Sequence, residues 1–412
     1  MTDLRTELID LGLQSGLATV GVCDASPFLE ARKALEERRD LGLNGEMQFT
    51  YRNPARSTDP AQTVRDARSM VVAAYRYDTD LRSDPSTSGS DPVSASGSGH
   101  SFGRVARYAT SDHYDRLRVG LKLIAGRLKE HGYRAVVACD DNAMVDRAVA
   151  VRAGLGFYGK SANVLLPGQG SWFVLGSVIT DAVLEATGSA VADGCGTCTR
   201  CIDGCPTSAI IAPGVVDARR CLSWLIQAPG DFPREFREAL GNRIYGCDDC
   251  QEVCPPSRRA DRLEIGLPSK TVQSKSTAPD DPALDPDFGR AIDSGVDSGD
   301  GWVDIEWMLV ASDDELLDRL GRWYIAKRNP NYLRRNALIV YGNTAARSSS
   351  QEVEAVLGPY LDSPDEMLAA HAAWAALKLG HEELLQRSGR NERAAIAAEL
   401  AHMVDGGENL SE

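Results

Sequence analysis

Cys195, Cys198, Cys201 and Cys205 precede Pro206 with the spacing C-x2-C-x2-C-x3-C-P, and no other feature constrains the fold as tightly. Three closely spaced thiolates wrap one 4Fe-4S cube, while the cysteine before proline points away and ligates a second cube. The run therefore calls for a partner run, and the chain supplies Cys247, Cys250 and Cys254 before Pro255. Ile244 stands where the first cysteine of that run is expected, and Cys221 is the nearby replacement. The spacing assigns Cys195, Cys198, Cys201 and Cys254 to one cluster, and Cys205, Cys221, Cys247 and Cys250 to the other. A pair of zinc sites is the competing reading of C-x2-C pairs. Continuation of each run to C-x3-C-P, and a count that closes at two sets of four, favour iron-sulfur. Cys23 and Cys139 are left over and read as buried, inert thiols. Two clusters alone make an electron wire, so the chemistry belongs elsewhere in the chain.

The 412 residues leave ample room for that: two or three domains, each with its own core. No apolar run approaches the roughly 20 residues that cross a bilayer. The N-terminal residues show neither a twin-arginine pair nor a signal-peptide core, so the expected location is the cytoplasm, with no membrane partner. Thiols stay reduced there, and a cysteine cluster binds metal rather than forming disulfides. The net charge of −14 argues against a polyanionic partner on average. Locally the balance reverses: residues 321–348 contain no Asp or Glu but hold Arg322, Lys327, Arg328, Arg334, Arg335 and Arg347. This stretch is either a solvated helix face or a docking site for an anion.

Before the cysteines, helical spacing over 2–15, 27–41, 112–131 and 143–153 alternates with β-rich runs at 18–23, 69–77, 133–139 and 172–180. The pattern predicts an α/β domain over 1–190, interrupted at 78–101, where 13 of 24 residues are Ser, Gly or Pro and a mobile surface loop is expected. Residues 191–262 form a ferredoxin-like domain for two 4Fe-4S clusters. A low-complexity linker covers 263–301. Residues 302–412 are expected to be all-α: a capping box at Ser312 and Glu315, then helices over 333–345, 350–361, 366–379 and 391–403, paired as in a short HEAT-like repeat.

The flanking segments resemble a known family. Cys195-Gly196-Thr197-Cys198, Asp217-Ala218-Arg219-Arg220-Cys221-Leu222-Ser223 and Gly241-Asn242-Arg243-Ile244-Tyr245-Gly246-Cys247-Asp248-Asp249-Cys250-Gln251 are similar to the iron-sulfur region of the epoxyqueuosine reductases. So are Asp146-Arg147-Ala148, Ala153-Gly154-Leu155-Gly156, Gly170-Ser171-Trp172, and Leu333-Arg334-Arg335-Asn336-Ala337 with Tyr341-Gly342-Asn343. The resemblance covers nearly the whole chain apart from the two low-complexity stretches. It implies an oxidoreductase that converts epoxyqueuosine to queuosine at the wobble position of tRNA, with cobalamin as a cofactor beside the two clusters.

By the same resemblance, the proton donor falls on Asp140, thirteen residues before the Ala153-Gly154-Leu155-Gly156 motif. Loss of the epoxide oxygen as water takes two electrons and two protons, and a poor leaving group must be protonated as its bond breaks. Read without the family, Asp140 is a strand-end aspartate that caps the next helix. The resemblance also places Arg56, Val164, Leu175, Ser223 and Asp248 near the cobalamin, and Arg334 and Arg335 on tRNA phosphates. Asp112-His113-Tyr114 inverts the family's order at that point, so His113 carries no role. Electrons would pass from a flavodoxin or ferredoxin through the clusters to cobalamin, in a monomeric protein. The rivals are a reductive dehalogenase-like cobalamin enzyme and a ferredoxin-type electron carrier. The first usually has an export signal and no basic helical domain; the second needs neither Asp140 nor the α/β domain.

Overall fold

Ser69–Arg76 and Phe173–Thr180 are the most continuously apolar strands of the N-terminal half, and both are largely buried. They form the centre of a four-stranded sheet in the order Thr19–Asp24, Ser69–Arg76, Phe173–Thr180, Ala135–Ala138. In this computed structural model, residues 3–77, 101–265, 301–346 and 349–407 are described. The expected loop over 78–100, most of the expected linker, and Arg347 lie outside them. Helices alternate with strands along the chain, yet every pairing in the sheet is antiparallel. The helix His113–Glu130 lies on the sheet through Leu117, Leu121, Ile124 and Leu128, all fully buried at helical spacing. Each such side chain contributes about 1.5–3 kcal/mol. Cys23 and Cys139 lie in the core, where burial pushes each thiol up to about 12. At neutral pH they are unreactive thiols.

The chain divides into two compact units: Met1–Asp80, Ser111–Trp224 and Asp248–Pro268 form the first, and Leu81–Thr110, Leu225–Cys247 and Ser269–Glu412 the second. The cysteine-rich residues are therefore not a unit of their own. Most belong with the sheet, while the segment Leu225–Cys247 belongs with the C-terminal helices.

The second unit holds a small sheet, in the order Arg243–Tyr245, Phe102–Val105, Trp302–Asp304, and the helices Asp313–Leu320, Asn331–Thr344, Ser350–Leu361, Glu366–Leu379 and Ala394–Gly407. The capping box at Ser312 and Glu315 forms as predicted. Asn331–Thr344 is the buried helix of this unit, enclosed on most of its faces.

That burial corrects one expectation. Arg335 is fully buried, and its guanidinium donates to the carbonyls of Leu225, Ile226, Ala228 and Gly230 and to Asn336 Oδ1. Arg334 pairs with Asp313 at 2.5 Å and donates to Ala311 O and Asn331 Oδ1. The fully buried Arg335 guanidinium is not presented to a phosphate, while Arg334 is half-buried. Asn336 and Asn343 also donate to backbone carbonyls of the 225–247 segment, at Ile226, Arg237 and Gly241. The motif over 333–343 is thus a clamp on that segment. Burial pushes Arg335 down to about 10, so it stays charged at neutral pH. Arg335→Ala would remove a buried guanidinium that donates to four carbonyls, of which those of Leu225 and Ile226 are buried. It is expected to cost about 3–5 kcal/mol, read as a lowered midpoint in urea unfolding.

Candidate active site and iron-sulfur centres

The first cysteine run turns tightly at Cys195, whose carbonyl accepts the Cys198 N–H at 2.9 Å, and continues into the one-turn helix Arg200–Asp203. Cys254 arrives from the end of a second short helix, Asp249–Glu252. Cys195, Cys198, Cys201 and Cys254 together line a cavity of about 560 Å³. Burial raises the Cys201 thiol, and Cys254, Cys195 and Cys198 add to the rise.

In the second set, burial raises Cys221 and Cys250, and Cys205 stands close enough to both to contribute. Cys205 Sγ accepts the Ala209 N–H at 3.2 Å, and Cys250 Sγ accepts from Asn163 Nδ2 at 3.8 Å. Such donors to sulfur set the reduction potential of a cluster. Cys201 is also among the neighbours of Cys250, so the two sets adjoin. Cys247, half-buried, ends the 225–247 segment of the second unit.

Asp140 follows the strand Ala135–Ala138 with a φ of +53°, in the left-handed region that Asp tolerates better than most residues. Its side chain is exposed, yet enough protein crowds it that lost hydration raises the carboxyl above the usual range. Arg118 opposes this rise; Asp141 and Asp112 reinforce it. Asp141 is committed locally, accepting the Ala143 N–H at 2.6 Å. Tyr114, one turn before Arg118 on the same helix, has its phenol pushed up by burial and by the Asp140 and Asp146 carboxylates. His113 is buried against Tyr75 and Tyr77, with ring centroids 6.3 and 5.4 Å apart.

The remaining assigned residues fall in three places. Val164 packs with Ala74 and Leu166, and Leu175 lies against the same cluster, its carbonyl near the Cys139 thiol beside Asp140. Ser223 and Asp248 flank Cys221 and Cys250; the Ser223 backbone lowers the Cys221 thiol, and Asp248 is buried with Gln251 Nε2 donating to it at 3.3 Å. Arg56 is exposed on the one-turn helix Pro54–Ser57.

Two features escaped the sequence reading. Gly170, at φ +76°, lies so close to Ser257 that an added Cβ would stand 2.5 Å from its Cα, and Ser171 Oγ donates to Gln251 Oε1 at 2.9 Å. The Gly170-Ser171-Trp172 motif therefore locks the sheet to the cysteine region. The other is Asp146, at the start of the helix Asp146–Arg152. One of its carboxyl oxygens is enclosed with no hydrogen-bond partner among the described residues, while the Asp140 backbone hydrogen-bonds to the carboxylate. Burial, then Asp141 and Asp140, raise Asp146 well above 3.8. A raised carboxyl binds its proton more tightly in the folded state, so it costs stability as pH rises from 3.8 through the folded value. Asp146→Asn removes that cost. Its melting temperature is expected to gain on wild type as pH rises above about 4, checked by calorimetry.

Residues 194–257 match the family model described as a 4Fe-4S double cluster binding domain, which spans all eight cysteines. An epoxyqueuosine reductase of Vibrio cholerae is 37% identical over 263 residues, covering 62% of this chain and 68% of that protein. One from Lactococcus garvieae is 30% identical over 388 residues, covering 94% and 99%. The chain belongs to the epoxyqueuosine reductase family. It is an oxidoreductase with a 4Fe-4S binding domain. A crystal structure of an epoxyqueuosine reductase with a tRNA-Tyr epoxyqueuosine-modified stem loop is 26% identical and superposes with a TM-score of 0.73, covering 96% of each chain. The epoxyqueuosine reductase fold thus extends through both units, and no helix among the described residues is long and apolar enough to cross a membrane.

Proposed function

We propose that this chain reduces epoxyqueuosine to queuosine at the wobble position of tRNA, in the cytoplasm. The observation that carries the reading is family membership over 94% of the chain, in a chain whose exposed Asp140, its carboxyl raised by lost hydration, stands at the end of its strand next to Cys139.

Two 4Fe-4S clusters are held by Cys195, Cys198, Cys201 and Cys254, and by Cys205, Cys221, Cys247 and Cys250. Cobalamin fits this chain: Val164 and Leu175 offer an apolar bed near an acid, and the residue next to Val164, Asn163, contacts the Cys250 sulfur. When bound, cobalamin supplies low-potential electrons to the epoxide-bearing ring. Arg56, Ser223 and Asp248 complete its contacts. The second cluster is the inner one, beside Asn163, and the first is the outer one, on its open cavity. Asp140 gives a proton to the departing oxygen, and lost hydration, which raises its carboxyl, favours the protonated form for that role.

The C-terminal helices act as a HEAT-like docking unit for the anticodon stem-loop. With Arg335 committed inside, the tRNA contacts extend from Arg334 to the turn before it. Tyr324, Lys327 and Arg328 are exposed there, so an aromatic face lies next to two cations. This combination suits stacking on an extruded base and binding its phosphates. The reading is tested by expressing the chain in a bacterium deprived of its own epoxyqueuosine reductase. Its tRNA is expected to carry queuosine; persistence of epoxyqueuosine alone would refute the reading.

A further inference from the structure

Among the described residues, the charged side chains that line the cavity of the outer cysteine set are all of one sign. In a chain of net charge −14, the cavity formed by Cys195, Cys198, Cys201 and Cys254 is lined by Lys160, Arg200, Arg258 and Arg259, and among the described residues no carboxylate lines it. Arg258 and Arg259 open the helix Pro255–Ile265 directly after Cys254, and Arg200 stands between Cys198 and Cys201. All three arginines are exposed; Lys160 is half-buried, its Nζ donating to Gly196 O at 2.7 Å. Three acids stand two residues from these cysteines, Asp193, Asp203 and Glu252, and the first two serve local turns. Asp193 accepts the Cys195 N–H at 2.8 Å, and Asp203 accepts the Thr199 hydroxyl at 2.8 Å.

Cations whose only task is to neutralise a cluster act best when buried, because exposed charges are screened by water and salt. Three exposed guanidinium groups around an open redox centre instead form a surface that attracts an acidic partner and orients it. An RNA phosphate would be held here without using the cluster, whereas an electron carrier must bring its own redox centre to this opening.

We propose that Arg200, Arg258, Arg259 and Lys160 form the docking surface for an acidic one-electron carrier protein that reduces the cluster held by Cys195, Cys198, Cys201 and Cys254. This rests on the assignment of that cluster in the proposed function. Each encounter oxidises the carrier by one electron and reduces the cluster by one, and two encounters supply the pair that the epoxide reduction consumes.

The test mixes cluster-replete protein with a reduced, purified flavodoxin in a stopped-flow instrument and follows cluster reduction over a range of salt concentrations. The double variant Arg258→Glu with Arg259→Glu is expected to lower the second-order rate roughly 10- to 100-fold at low salt, with the gap closing near about 1 M. Reduced methyl viologen, a small cation, should lose no rate on the same variant. Iron content and absorption must match wild type. If they fall, Arg258→Gln with Arg259→Gln and the salt slope of wild type serve instead, and a rate independent of salt in wild type overturns the proposal. Equal flavodoxin rates in variant and wild type also overturn it, as does a variant that loses only stem-loop binding. A wild-type protein with too little iron for two clusters would instead overturn the cluster assignment beneath it.

Discussion

Asp140→Asn is expected to keep its iron-sulfur absorption, bind cobalamin and the tRNA stem-loop as wild type does, and lose about 10²–10⁴-fold in turnover. The amide preserves the size of the side chain and its left-handed backbone position, which Asn adopts as readily as Asp. It removes the proton that leaves with the oxygen. Because the Asp140 carboxyl is raised by lost hydration, wild-type turnover should fall as pH climbs through that raised value, and the variant should not show this limb. Rapid-quench assays on modified stem-loop across pH measure both effects. A variant with near-normal turnover would move the proton donor elsewhere, with the buried acid Asp146 the next group to replace.

Cys221→Ala should remove one cluster and leave the other. Cys221 is the ligand that no regular run announces, and its place near Cys205 and Cys250 marks it as part of the inner set. Loss of one thiolate of four should cut bound iron from about eight to about four per chain. Turnover should then be lost, because electrons no longer reach the inner end of the path. Cys23→Ala and Cys139→Ala are the matched controls; both thiols sit in the core away from the cluster sets and should leave iron content unchanged. Iron analysis with paramagnetic resonance of the reduced protein separates the two classes. Full iron occupancy in Cys221→Ala would return the fourth ligand to an unassigned residue.

The parts of the fold that were legible in the sequence rest on local chemistry. Cluster ligands must follow one another closely, so the spacing from Cys195 to Cys205 carries its own geometry. Helix periodicity placed Ser350–Leu361 and Glu366–Leu379 at the bounds the structure gives. What stayed hidden depends on partners distant in sequence. The orientation of Arg335 is set by carbonyls more than a hundred residues earlier, and a run of arginines on a helix reads as surface until that helix proves to be enclosed. The segment Leu225–Cys247 sits among the cysteines in sequence but folds with the C-terminal helices, because those arginine and asparagine side chains hold its backbone. Asp146 reads as an ordinary acid in the first turn of a helix; only the packed structure shows its enclosed oxygen. Gly170 likewise gives no hint of Ser257 until the two are brought together.

The central claim is that the cysteines supply electrons to a cobalamin reaction at Asp140. The most direct measurement is nucleoside mass spectrometry of epoxyqueuosine-bearing stem-loop after anaerobic incubation with reduced, cluster-replete protein, with and without added cobalamin. The account predicts queuosine, lighter than its precursor by one oxygen, only when cobalamin is present. Queuosine formed without cobalamin, or none formed with it, would contradict the account.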